Sequence, residues 1–276
     1  MNVVELAARL IQCPSVTPKE AGAIKLIEDI FKSTDFEISR IDRSGVSNLF
    51  LRWGEKKLPT LGFCGHIDVV PPGDLTKWEF DPFSGRTTGD VLFGRGSVDM
   101  KSAVAAFCVA AIKYSRQAKP NFSIIIMITG DEEGEAKHGT QAILDWMTEN
   151  NQRIDHCIVG EPTCPKTFGE AIKIGRKGSM TATFTLIGKQ GHSAYPHLAI
   201  NPINASTKLL SKVLNTKLDE GSKFFEPSTL VATSISANNT ANKSATPSPI
   251  KGFNHCFRPL LICGLKSTVP CPLLSK

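Results

Sequence analysis

Two hydrophobic periods alternate along the first 160 residues. Apolar positions three and four apart mark residues 3–12 and 20–33 as amphipathic helices, with Glu5 and Arg9 on the polar side of the first. "FEISRID" and "NLFLRW" alternate with period two, as strands do, as far as Trp53. "LPTLGFCGHID" reads as a more buried strand, and Pro71-Pro72-Gly73 behind it fits only a loop. "MKSAVAAFCVAAIKYSRQ" (Met100–Gln117) is alanine-rich and apolar on more than one side, which predicts a well-buried helix. "FSIIIMIT" (Phe122–Thr129) is a continuous apolar run, the pattern of a strand covered on both faces. "HGTQAILDWM" is helical, and "DHCIVG" reads as another short buried strand. Such alternation predicts an α/β fold with a mostly parallel sheet.

The texture changes after Gly175. "SMTATFTLIGK" alternates as an antiparallel strand with one wet face does, "NPINASTKLLSKVLN" is an amphipathic helix, and "STLVATSIS" is a second β-type run. These segments place a first domain at residues 1–175 and part of a second at 176–242. Residues 243–276 hold five prolines, three cysteines and no acidic residue, with no stable period, so this tail is expected to be poorly ordered.

Composition narrows the class of protein. The 276 residues are 41% hydrophobic and 21% charged, as in a soluble globular protein of one large or two smaller domains. No apolar run reaches the roughly 18 residues of a membrane helix, and "MNVVELAARLIQ" lacks the basic start and long apolar stretch of a signal peptide. A cytoplasmic protein without membrane partners is expected. Most of the net charge of +6 resides in the tail, because residues 1–242 carry 27 basic and 26 acidic side chains. No basic helix or aromatic-interleaved patch accompanies it, which argues against a nucleic-acid partner. The eight cysteines include no C-x-x-C pair and are expected to stay reduced.

The reactive side chains gather at strand exits. His66 and Asp68 end the "GFCGHID" strand and, two residues apart, share a face. Asp99 precedes the Met100 helix, Asp131, Glu132 and Glu133 follow the most buried strand, and Glu161 follows the next. A single acid after a strand is usually a helix cap or a solvated turn. Several acids converging on one sheet edge repel unless a positive charge neutralises them, and no lysine or arginine cluster is at hand. A divalent cation with nitrogen and oxygen ligands is the natural solution, zinc, cobalt or manganese rather than calcium or magnesium. Asp68 is placed to fix the ring of His66. Adjacent side chains of an extended segment point in opposite directions, so one of Glu132 and Glu133 is expected to bind metal and the other to serve as general base. Trp78 and Cys64 read as packing residues, and His138, His156, His197 and His255 as structural or surface residues.

"GHIDVVPPGD", "WEFDPFSG", "GRGSVDMKSA", "TGDEEG", "GEPT", "GRKGS" and "GHSAYPH" occur in this order, and together they resemble the dinuclear zinc M20 peptidase and deacylase family over about residues 1–242. "GRKGS" beside "GHSAYPHLAINP" resembles the branch that removes succinate from N-succinyl-L,L-diaminopimelate. The alternatives are another acyl substrate, such as N-acetylornithine, and an inactive metal-binding remnant. The resemblance implies two Zn2+ ions per chain, one replaceable by Co2+. It implies His66 and Glu161 at the first metal, Asp99 bridging, Glu133 at the second, Glu132 as general base and acid, and Asp68 supporting His66. It further implies a cis peptide at Asp99–Met100, and a lid domain that forms a homodimer and lends His192 to the partner's site. Substrate contacts fall to Arg176, Ser179 and Asn242.

The family pattern stops after "SANNTAN". In the family an "NxIP" strand follows there, and a segment returning to the first domain supplies a last metal-binding histidine near the carboxyl terminus; the sequence reads "KSATPSPIKGF" instead. Loss of all acids with a rise in proline and cysteine is the texture of an out-of-frame reading from about codon 243, which predicts a weakened second metal site.

Overall fold

The computed structural model describes residues 2–117, 121–164, 166–175, 177–178, 182–189, 191–192, 194–232, 235 and 244–245. The chain divides into two compact units, one formed by Met1–Ile172 and one beginning at Lys173.

In the first unit, α1 (Val3–Ile11) and α2 (Ala23–Phe31) lead into β1 (Glu37–Arg40), β2 (Leu49–Trp53) and β3 (Thr60–His66). A two-stranded ribbon follows, β4 (Thr87–Thr88) with β5 (Val91–Leu92), and then α3 (Lys101–Gln117). The unit continues through β6 (Ser123–Thr129), α4 (Thr140–Glu149) and β7 (His156–Val159). α1 starts on a capping box in which Asn2 accepts the Glu5 N–H and Glu5 reaches back to the Asn2 N–H.

The central sheet has the order β1-β2-β6-β3-β7. β3 runs parallel to both β6 and β7, whereas β2 is antiparallel to β1 and β6. The eight-residue β1–β2 connection, turning at Ser44-Gly45 with both φ positive, is too short for a crossover and reverses the chain. The other four strands point one way, giving the mostly parallel α/β sheet that the sequence predicts.

Alternation along β6 explains its unbroken apolar run. Ile124, Ile126 and Ile128 join Leu6, Ile27, Phe31, Val104 and Cys108 in a core under α1, α2 and α3. Ile125 and Met127 join Phe50, Ile143 and Met147 in a second core under α4. Each such buried side chain contributes about 1.5–3 kcal/mol. With both faces covered, the sheet offers its chemistry at its edges.

β7 departs from the sequence reading. Its apolar residues predict a buried strand, but it is an edge strand on which Ile158 is 50% and Val159 59% exposed. Its apolar residues match those of a central strand, and only the pairing order decides which strand lies outermost.

The second unit contains β8 (Gly191–His192), α5 (Pro202–Leu214) and β9 (Ser244–Ala245). β8 pairs β9 antiparallel, with His192 opposite Ser244. Asn201 caps α5 by accepting the Ile203 N–H, and Pro202 occupies its first turn. Residues 182–188 and 228–232 form no strand, contrary to their period-two pattern. A strand is completed by a partner's hydrogen bonds, which alternation within one segment cannot supply. No described helix is long and apolar enough to cross a membrane.

Candidate metal centre

Three neighbouring parallel strands deliver the acidic side chains to one edge. His66 is the last residue of β3, Asp131–Glu133 follow β6, and Glu161 lies two residues beyond β7. Asp99 arrives from the start of α3. There Lys101, fully buried, donates from Nζ to the carbonyls of Leu10 (2.9 Å) and Cys13 (2.7 Å) at the end of α1. The Asp99–Met100 peptide is cis.

His66 sits at the centre with its ring 1% exposed. Its Nδ1 lies 2.9 Å from the backbone carbonyl of Asp68; a carbonyl only accepts, so Nδ1 carries the hydrogen. Nε2 then faces Asp99 Oδ1 at 3.0 Å, Glu161 Oε1 at 3.6 Å and Glu132 Oε2 at 3.9 Å. Ligand atoms of His66, Asp99 and Glu161 lie within 4.8 Å of one another, and so do those of His66, Glu132 and Glu133.

Burial opposes charge on the His66 ring, but the Asp68 and Asp99 carboxylates outweigh it and raise its pKa from 6.5 to about 11. A pocket that draws a proton onto a buried imidazole is built for positive charge. The donor set of one imidazole nitrogen and several carboxylate oxygens fits a divalent transition metal, which satisfies the same acids and takes the Nε2 lone pair of a neutral ring. Cys64, two residues before His66, is a poor competitor, because burial pushes its thiol up to about 12.

Asp68 acts in a way the sequence does not reveal. Its carbonyl, rather than its carboxylate (3.6 Å from Nδ1), makes the closer contact with the His66 ring. The carboxylate, fully buried, accepts the N–H of Glu132 at 3.1 Å and of Glu133 at 2.9 Å. The expectation that Glu132 and Glu133 point in opposite directions is corrected. Residues 132–134 bend, and both carboxylates reach within 4.8 Å of the same histidine nitrogen. Alternation holds only in extended backbone, and the bonds to Asp68 bend this segment.

A cavity of about 200 Å³ adjoins the centre, lined by Val69, Val70, Arg95 and Ser97 together with Asp99 and Glu133. The Arg95 guanidinium lies 5.2 Å from the centre of the Trp78 ring, whose Nε1 donates to the Pro72 carbonyl. The sequence gives no sign of this role for Arg95 and Ser97 beyond their place in "GRGSVD", which ends at Asp99. In the second unit, His192 Nδ1 accepts the Ala194 N–H at 3.0 Å. Arg176, Ser179 and Asn242 lie outside the described residues.

The chain belongs to peptidase family M20/M25/M40, whose pattern it matches over residues 62–251. Among curated proteins it is 52% identical over 240 residues to a succinyl-diaminopimelate desuccinylase of Dinoroseobacter shibae, covering 87% of this chain and 63% of the relative. It is also 52% identical over 239 residues to the protein of that name from Paracoccus denitrificans, covering 86% and 63%. The chain thus spans less than two thirds of the length of these relatives. Among solved structures, a putative aminohydrolase from methicillin-resistant Staphylococcus aureus shares the fold, with a TM-score of 0.60 at 18% identity over 91% of this chain and 63% of that one.

Proposed function

We propose that this chain carries the metal-binding face of an amide hydrolase that releases succinate from N-succinyl-L,L-diaminopimelate. The observation that supports it best is the convergence of Asp99, Glu132 and Glu161 on Nε2 of one buried histidine, in a chain half identical to proteins of that name. His66, Asp99 and Glu161 would hold zinc, or cobalt in its place, and Asp99 and Glu133 would hold a second ion. Metal bound there supplies positive charge that polarises the scissile carbonyl and acidifies the attacking water.

The chain's own groups do the rest. Glu132 takes a proton from the attacking water as the new C–O bond forms. It hands that proton to the amine nitrogen as the C–N bond breaks, so succinate and a free amine leave and the carboxylate is restored. Asp68 keeps His66 in the tautomer that presents Nε2 and holds the backbone of Glu132. Arg176, Ser179 and Asn242 contact substrate, Arg176 through a guanidinium fork that suits a carboxylate. His192 polarises the carbonyl across a homodimer built by the second unit.

Purified chain supplied with zinc or cobalt should hydrolyse N-succinyl-L,L-diaminopimelate in preference to N-acetylornithine. Preference for the acetyl substrate overturns the substrate; no hydrolysis of either by a metal-loaded chain overturns the activity.

A further inference from the structure

Asp131 belongs to neither group of metal-ligand side chains, yet it is 4% exposed and its carboxylate is saturated with backbone donors. Oδ2 accepts the N–H of Lys137 and of His138, both at 3.0 Å, and Oδ1 accepts that of Ala136 at 3.2 Å. Its own N–H donates to Thr129 Oγ1 at 3.1 Å, which ties it to the end of β6. The carboxylate therefore closes a loop whose first two residues are Glu132 and Glu133.

Two details show that the closure is tight. A Cβ on Gly134 would lie 2.6 Å from Asp131 Oδ1 and 2.4 Å from Thr17 Oγ1, so the loop leaves no space over the acid. Ala136 is held at φ +55°, a left-handed conformation costly for a residue with a Cβ, and its N–H is one of those bound.

We propose that Asp131 is the positioning residue of the Glu132–Glu133 pair. It fixes the far end of the loop, while Asp68 fixes the two glutamate N–H groups. Between them the two buried acids set where both carboxylates stand relative to His66. This inference rests on the metal-centre reading above, and it concerns binding rather than turnover.

The test uses the full chain, with cobalt(II) as the probe. Asp131→Asn keeps one acceptor oxygen and Asp131→Ala keeps none. Cobalt affinity should fall about 10-fold in the first and towards 100-fold in the second, the range for loss of a group that orients ligands. The visible absorption of bound cobalt should change in both. A residue that only stabilises the fold would lower the unfolding temperature and leave cobalt affinity and spectrum at their wild-type values; that result overturns the proposal. If neither variant folds, hydrogen exchange on the chelator-treated wild-type chain decides. Protected amides at 136–138 support the proposal, and exchange there at the rate of an unstructured peptide sinks it. A wild-type chain that binds no cobalt at all would instead overturn the metal-centre reading.

Discussion

Asp68 and Glu133 stand 65 positions apart, and the carboxylate of the first accepts the backbone N–H of the second at 2.9 Å. The same residue's carbonyl meets the ring of His66, so one aspartate relates the end of β3 to the loop after β6. Asp68→Ala leaves the N–H groups of Glu132 and Glu133 without this partner in a part-buried site, each worth about 1–3 kcal/mol. We expect urea unfolding of the metal-free variant to show a loss of about 2–4 kcal/mol. Unchanged stability would mean that water replaces the carboxylate at no cost.

Glu132→Gln should separate binding from chemistry. The amide keeps the size of the side chain and removes its capacity as a base. Metal content after dialysis should stay near wild type, while turnover falls about 10²–10⁴-fold. If the variant instead loses metal and keeps its turnover per bound ion, Glu132 is the ligand and Glu133 the base.

Metal stoichiometry follows from where the one imidazole nitrogen stands. His66 Nε2 faces Asp99 and Glu161 and would serve the first ion, which leaves a second ion on Asp99 and Glu133 with carboxylate oxygens alone. One tightly held zinc per chain is therefore expected after dialysis, with a second retained only at millimolar zinc. Two tightly held ions would show that nitrogen ligation is not what limits the second site.

The protonated His66 gives the metal-free chain a pH dependence of known sign. Its folded pKa of about 11 exceeds the ordinary 6.5, so its contribution to stability is complete below pH 6.5 and fades as pH rises towards 11. Thermal unfolding of chelator-treated protein should shift to lower temperature between pH 7 and 10. Zinc-loaded protein should not share that trend, because the metal replaces the proton, and apparent zinc affinity should rise over the same interval. A metal-free chain whose stability is flat from pH 7 to 10 would show a neutral His66.

Gly139→Ala probes the loop from its other end. The new Cβ would lie 2.2 Å from Thr129 Oγ1 and 2.8 Å from the Asp131 carbonyl, and a backbone atom at that point cannot swing aside. A loss of about 1–3 kcal/mol in urea unfolding is expected, as for overpacking generally. Weaker zinc binding should accompany it, since the displaced segment carries Glu132 and Glu133. Wild-type values for both would show that the loop tolerates movement.

What the sequence reveals depends on how far each feature is local. The run Ser123–Thr129 identifies its own strand, because burial on both faces needs only apolar side chains at both parities. His66, Asp99, Glu132, Glu133 and Glu161 are legible as a group because each follows or precedes a recognisable element. The bend at 132–134 is not, since it depends on Asp68 reaching across from another strand. The partners of Asp131 also escape, being backbone N–H groups that any sequence at 136–138 would offer. The exposure of β7 escapes for a related reason, because its place in the sheet is a property of the whole topology.

The two margins of the central sheet carry different risks in solution. β1 presents Glu37 and Arg40, charges that discourage another strand from adding on. β7, which among the described residues pairs only with β3, presents Ile158 and Val159 half exposed. An aliphatic margin of that kind is a template for edge-to-edge aggregation between copies. Association of this chain at high concentration is therefore expected to start at β7, and Ile158→Lys should reduce it in light scattering while leaving His66, Asp99 and Glu161 unchanged.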